Sequence, residues 1–253
     1  MTRRPRPAPL AGRTVVVTRP AGTGGALARA ARALGAQAVL LPGAALRGAA
    51  DPQAARAGLD RAARADAVVF TSPAAVRFAF ALRPRWRPRR GAAVHAVGPA
   101  TARALARRGV VARAPDRRYD SEGLLAALAA VPPRVAAVIG APGGRGLIAD
   151  GLRARGTRVD LVEVYRRVPA RLDARHLRPL ARAPGRLVLL LSSVETLGNL
   201  RTTLPADAWV LLRGAAVVAS SARVADAALA AGLRASRVAR SALGADLLAA
   251  AAR

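Results

Sequence analysis

Short apolar runs, each followed by a turn and then an alanine-rich amphipathic stretch, recur along the chain. Thr14–Thr18, Ala38–Leu41, Ala67–Phe70, Ala93–Val97, Val135–Ile139, Leu187–Leu191 and Val217–Ala219 show almost no polar alternation. Continuous β-branched or aliphatic runs of that length predict strands buried on both faces. Val110–Ala114 reads as a strand edge. Between them, helices are predicted over Ala26–Leu34, Asp51–Ala65, Ala74–Leu82, Ala100–Arg108, Leu124–Ala130, Val194–Leu204, Arg223–Ala231 and Asp246–Ala252. In the first of these, Leu27, Ala30, Ala31 and Leu34 fall on one face. Gly35, Gly109 and Gly232 stand where helices stop, and Ser121 where one starts. Strand alternating with helix is the pattern of parallel α/β architecture.

Composition narrows the picture. Hydrophobic residues make up 53% of the 253 residues but aromatics only 3%, so the core is built from Val, Leu and Ala. The absence of cysteine excludes disulfides, thiolate catalysis and cysteine-based metal sites. His95 and His176 are too far apart in sequence for a ligand motif, and His95 lies in an apolar strand, so no metal site is expected. The N-terminal MTRRPRPAPLAGR lacks the apolar run of a signal peptide. No segment approaches the about 18 uninterrupted apolar residues of a membrane span. A cytoplasmic protein is expected, with no membrane partner.

The formal charge of +28 comes from 42 basic residues, all of them arginine. Their densest run is Arg83-Pro-Arg-Trp-Arg-Pro-Arg-Arg90. That run could serve a nucleic acid, with Trp86 stacking on bases. Its prolines forbid a helix and no recognised nucleic-acid motif accompanies it, so a solvated loop is expected and no nucleic-acid partner. The positive field still favours an anionic small ligand.

The two halves of the chain resemble one another. Phe70-Thr-Ser72 matches Leu191-Ser-Ser193, and the run from Val15 matches that from Ala136, both 121 positions on (70 to 191, 15 to 136). The run from Val97 matches that from Ala219 at 122 (97 to 219). Two similar parallel α/β domains are therefore predicted. Ligands of such sheets bind beyond the carboxyl ends of the strands. The loops there are Arg19–Gly25, Thr71–Pro73, Gly98–Thr101, Gly140–Arg145, Ser192–Ser193 and Ser220–Ser221. Their hydroxyls and helix-initiating N–H groups suit carboxylates or phosphates, although any one of them serves equally as a tight turn or N-cap. Gly140–Arg167, GAPGGRGLIADGLRARGTRVDLVEVYRR, is the most specific stretch: a glycine turn, a helix, and a strand ending in a lone tyrosine. No G-x-G-x-x-G fingerprint, Walker lysine or G-x-S-x-G elbow occurs. An enzyme built this way works by holding and orienting a reactive substrate.

Several ordered segments resemble the uroporphyrinogen-III synthase family. They are TRP (Thr18–Pro20), FTSPAAV (Phe70–Val76), AVGPATARAL (Ala96–Leu105), SEGLL (Ser121–Leu125), APGGRGLIADGLRARG (Ala141–Gly156), VEVYRR (Val162–Arg167), LLSSVETLGNL (Leu190–Leu200) and VVASSARVADAALAAG (Val217–Gly232). The basic run Arg83–Arg90 and Ala222, at a position expected to be acidic, depart from the family pattern. The resemblance implies two flavodoxin-like domains joined by a two-stranded β-ladder. One domain would take residues 1–37 with 170–253, the other 48–156, with 38–47 and 157–169 as linker strands. The implied activity is cofactor-free closure of hydroxymethylbilane, a linear tetrapyrrole with eight carboxylates, with loss of water and inversion of ring D. Tyr165 is the implied acid or hydrogen-bond donor to the departing hydroxide. Arg19, Thr71, Ser72, Gly98, Thr101, Gly143, Gly144, Arg145, Ser192, Ser193, Ser220 and Ser221 are the expected substrate-binding residues. A monomer, receiving substrate by transient handover from hydroxymethylbilane synthase, is the expected assembly. A non-catalytic anion-binding relative of the same fold is the alternative.

Overall fold

The computed structural model describes residues 8–115, 121–129, 132–143 and 146–253. The first part of the chain runs through β1 (Arg13–Val17), α1 (Gly25–Ala33), β2 (Gln37–Leu40), β3 (Ala44–Gly48), α2 (Pro52–Ala62), β4 (Ala67–Phe70) and α3 (Pro73–Leu82). The middle adds β5 (Ala93–Ala96), α4 (Pro99–Ala106), α5 (Ser121–Ala129), β6 (Val135–Gly140), α6 (Gly146–Arg153), β7 (Arg158–Glu163) and β8 (Tyr165–Pro169). The remainder is α7 (Ala174–Ala181), β9 (Arg186–Leu191), α8 (Val194–Thr203), α9 (Ala206–Arg213), β10 (Ala216–Ala219), α10 (Ala222–Ala230), β11 (Arg234–Val238) and α11 (Gly244–Ala252). Two compact units result, Met1–Ala45 with Val168–Arg253, and Leu46–Arg167.

In the first unit the sheet order is β11-β10-β9-β1-β2, with every neighbouring pair parallel. The two-residue period of a strand divides its core. Val16, Leu189, Leu191 and Val217 face α8, α9 and α10 through Leu197, Leu200, Leu212 and Val224. Val15, Val17, Val188, Leu190 and Val218 face α1 and α11 through Leu27, Ala28, Leu247 and Leu248. Both faces are covered, which is why these strands read as unbroken apolar runs. Each Val or Leu buried this way contributes about 1.5–3 kcal/mol.

The second unit repeats the plan with a sheet ordered β5-β4-β6-β7, again parallel. Val68, Phe70, Ala137 and Ile139 face α2 and α3, while Ala67, Val69, Ala136 and Val138 face α5 and α6. Shifting numbers by about 121 maps β6, β7, β9 and β10 onto β1, β2, β4 and β5, so the two sheets share one strand order. Each is flavodoxin-like, and β3 pairs with β8 in a separate two-stranded sheet.

Four differences from the sequence reading have physical causes. The stretches expected as single strands over 38–47 and 157–169 are two strands each: β2 and β7 belong to the large sheets, and only β3 and β8 pair with each other. Pro42 interrupts the first stretch. In the second, Val164 N–H turns aside to donate to Gly140 O at 3.0 Å. Val110–Ala114 is not a strand; one bridge, His95 to Arg113, stands where the other unit has β11. In α1, Leu27 and Ala31 are buried and Leu34 half-buried as expected, but Ala30 is exposed and Ala28 buried in its place, because alanine on several faces leaves the stripe's edge ambiguous. The Arg83–Arg90 loop is no loose solvated segment. Trp86 is 5% exposed, lies edge-on to Phe70 and Phe80, and donates its Nε1–H to Leu59 O at 2.9 Å. Arg83 forks onto Asp60 at 2.6 and 2.9 Å, and Arg89 pairs with Asp66. The sequence reading also missed α7, α9 and β11.

Candidate functional site

In a doubly wound sheet the binding crevice opens where strand order reverses, beyond the carboxyl ends of the strands. In the second unit that point lies between β4 and β6. β4 ends in Phe70 and hands over to Thr71 and Ser72; β6 ends in Gly140 and hands over to the turn containing Gly143. Thr71 donates both its N–H and its hydroxyl to Ile139 O, each at 3.1 Å. The loops touch so closely that a Cβ on Gly140 would stand 2.5 Å from Thr71 Oγ1. Glycine is required here by space. Beside it a cavity of about 280 Å³ is lined by Thr71, Gly140, Pro142, Gly143, Leu161 and Glu163, among others.

Tyr165 opens β8 and reaches this corner. Its Oη lies 3.1 Å from Ser72 Oγ, and its ring is stacked on Phe78 at 5.4 Å between centroids and 11° between planes. Arg77 sits over the same Phe78 ring at 4.7 Å. Tyr165 is 2% exposed, so its hydroxyl depends on Ser72 for hydrogen bonding. Ser72 is the N-cap of α3, accepting from Ala75 N–H at 3.1 Å. A serine here both starts a helix and meets the phenol.

Gly98 caps α4 at the end of β5, which Val97 N–H ties to Phe70 O at 3.2 Å. Thr101, 3% exposed, lies in the first turn of α4. The structure therefore brings Tyr165 and Ser72 into direct contact, with Thr71 next to Ser72 in the chain, and places Gly98, Thr101 and Gly143 at the same edge of that sheet. Gly144 and Arg145 lie outside the described residues.

The first unit carries the remaining expected residues at its own reversal point, between β1 and β9. Ser193 caps α8 by accepting from Thr196 N–H at 3.1 Å, and its hydroxyl donates to Thr196 Oγ1 at 2.9 Å. Ser220 Oγ donates to Ser192 O at 3.3 Å. Ser221 is the N-cap of α10 without a side-chain bond to it. Arg19, following β1, bonds Ala242 O. Burial pushes its guanidinium below the ordinary value. Among the described residues no carboxylate is paired with it.

Sequence reasoning missed the contribution of Phe78. The available signal was scarcity: with three phenylalanines in the chain, Phe78 in the middle of the helix after a candidate loop is conspicuous. Glu163, the last residue of β7, also borders the cavity, and nothing in its sequence setting marks it out. Among the described residues no cluster of three or more His, Asp or Glu is placed to hold a metal ion. Neither is any helix there long and apolar enough to cross a membrane.

The model of the family described as uroporphyrinogen-III synthase HemD matches residues 25–249. A mutant uroporphyrinogen III synthase from the extremely thermophilic bacterium Thermus thermophilus is similar in structure, with a TM-score of 0.58 and 22% identity over 94% of this chain and 96% of that one. Uroporphyrinogen-III synthetase from Helicobacter pylori 26695 is also similar, with a TM-score of 0.59 and 14% identity over 95% and 98%. At such identities the likeness speaks for the fold. No curated protein matches the chain in sequence.

Proposed function

This chain belongs to the uroporphyrinogen-III synthase family, and we propose that it carries out the family's lyase reaction. In that reaction hydroxymethylbilane closes to a macrocycle with inversion of ring D and release of water. The observation that carries the proposal is the Ser72–Tyr165 hydroxyl pair, at 3.1 Å beside the strand ends where the second sheet reverses. Departure of hydroxide from carbon needs a proton or a strong hydrogen bond on the leaving oxygen. A pair of hydroxyls hydrogen-bonded to each other offers one.

The remaining residues suit a polyanion. Arg19 supplies a partly desolvated cation. Thr71, Gly98, Thr101, Gly143, Ser192, Ser193, Ser220 and Ser221 supply hydroxyls and helix-initiating N–H groups, and Gly144 and Arg145 complete the proposed binding set. Orientation is the larger part of the task. The substrate closes without inversion when left alone, so the protein must hold the wrong carbon away from the cation as it forms. The reaction transfers no electrons to an acceptor and needs no organic cofactor or metal.

We assign the protein one small-molecule partner, hydroxymethylbilane, received from hydroxymethylbilane synthase, and a monomeric, cytoplasmic working form. Coupling the purified chain to that synthase and separating the product isomers tests the reaction. Isomer III is the expected product. Tight tetrapyrrole binding with isomer I alone would make the chain an anion-binding relative instead.

A further inference from the structure

Resting on the reaction proposed above, we infer that Ser72 is the catalytic residue that hands a proton to the leaving hydroxyl, with Tyr165 as a positioning residue that replenishes it.

Hydrogen-bond counting sets the direction. Ser72 and Tyr165 bring two hydroxyl protons to one shared contact of 3.1 Å. If Ser72 donated across it, the phenol would keep its own proton and need a second acceptor. Among the described residues Ser72 is the one hydrogen-bond partner of Tyr165, whose side chain is 2% exposed. That proton would be stranded, a situation buried polar groups avoid. In the opposite arrangement Tyr165 donates to Ser72. Ser72 Oγ then accepts twice, from the phenol and from Ala75 N–H at 3.1 Å, which fills both of its lone pairs. Its own hydrogen is left uncommitted, on a half-buried side chain that solvent or ligand can reach. The phenol behind it polarises that O–H bond and strengthens it as a donor.

The duplicated unit supplies an internal comparison. Ser193 lies 121 positions after Ser72 (72 to 193) and caps α8 as Ser72 caps α3. There, however, the serine hydroxyl is spent on Thr196 Oγ1 at 2.9 Å. The position equivalent to Thr196 is Ala75, which has no hydroxyl to take the proton. The same capping serine is therefore internally satisfied in one unit and left with a free proton in the other, where the tyrosine stands behind it.

The proton balance closes. The carbon–oxygen bond of the hydroxymethyl group breaks with its electron pair on oxygen, and the Ser72 Oγ proton moves to that oxygen to form water. The Tyr165 proton moves to Ser72 Oγ, leaving a phenolate, which is far less basic than a serine alkoxide. With inversion, the first new carbon–carbon bond forms at the substituted carbon of ring D, which has no proton to lose. The bond from that carbon to its former bridging carbon then breaks, leaving the cation on the bridge. The unsubstituted α-carbon of ring D bonds to that bridge and loses its proton. That proton returns through Ser72 to Tyr165, and both residues end as they began.

The test is the isomer-resolved rate of wild type, Ser72→Ala, Ser72→Thr, Tyr165→Phe and the Ser72→Ala/Tyr165→Phe double variant, in H₂O and D₂O. Ser72→Ala should lower kcat roughly a hundredfold, with the double variant no slower than Ser72→Ala alone, because Tyr165 acts through the serine. Ser72→Thr keeps both hydroxyl and cap and should restore most of the rate, which separates proton donation from helix capping. The proton inventory should fall from two protons in wild type to one in Tyr165→Phe. Wild-type rates in Ser72→Ala, or single effects that multiply in the double variant, would overturn the relay. A wild type that yields only isomer I would overturn the reaction itself and the relay with it.

Discussion

The contact between Thr71 and Gly140 is the tightest point of the candidate site. Thr71 Oγ1 occupies the space a side chain at 140 would need, and its bonds to Ile139 O hold the two loops in register. Gly140→Ala should therefore cost about 1–3 kcal/mol of stability through overpacking, read as a lower denaturant midpoint. Adding Thr71→Ala should recover part of that loss, since it removes the atom 2.5 Å from the new Cβ. Asp173 gives a pH-dependent counterpart. The Arg175 guanidinium hydrogen-bonded to it, helped by Arg175 N–H, holds its carboxyl at about 2, below the ordinary 3.8. A depressed carboxyl stabilises the fold above its unfolded value and loses that contribution as the pH falls toward the folded one. Asp173→Asn keeps an N-cap but not the charge. Its midpoint should lie below wild type at neutral pH and converge on it between about pH 4 and 2.

Among the larger segments, the Arg83–Arg90 loop departs furthest from what its sequence suggests. Arg83 and Arg89 pair with Asp60 and Asp66, and Trp86 plugs the second unit's core against Phe70 and Phe80. Trp86→Ala should lower stability by about 3–5 kcal/mol, far more than replacing the exposed Arg85 or Arg90. The sequence disguised this because tryptophan between arginines and prolines looks like a stacking residue on a surface. The central strands were legible for the opposite reason: burial on both faces leaves no polar alternation to obscure them. α7 escaped because it carries arginines at Arg175 and Arg178 and a proline, Pro179, inside the helix. β11 escaped because RASRV is an edge strand with no apolar run, bulged against Val217 and Val218. At the site, Ser72 was legible as a turn residue and Tyr165 as a lone aromatic. Their contact was not, because 93 positions separate them and only the fold brings them together.

For the molecule as a whole, a shared offset near 121 becomes a shared strand order, so one plan is used twice with different endings. The two copies diverge where chemistry would be expected. One spends its capping serine on Thr196 and offers Arg19, while the other frees its serine and backs it with Tyr165. The surplus of arginine, 42 basic against 14 acidic residues, provides a positive field suited to a ligand with many carboxylates. The most direct measurement of the central claim is the isomer composition of uroporphyrinogen formed from a fixed pool of hydroxymethylbilane as this protein is titrated in. Isomer III should displace the spontaneous isomer I as protein is added, until III accounts for nearly all product. An isomer I fraction that stays constant across the titration, with the protein folded, would contradict it.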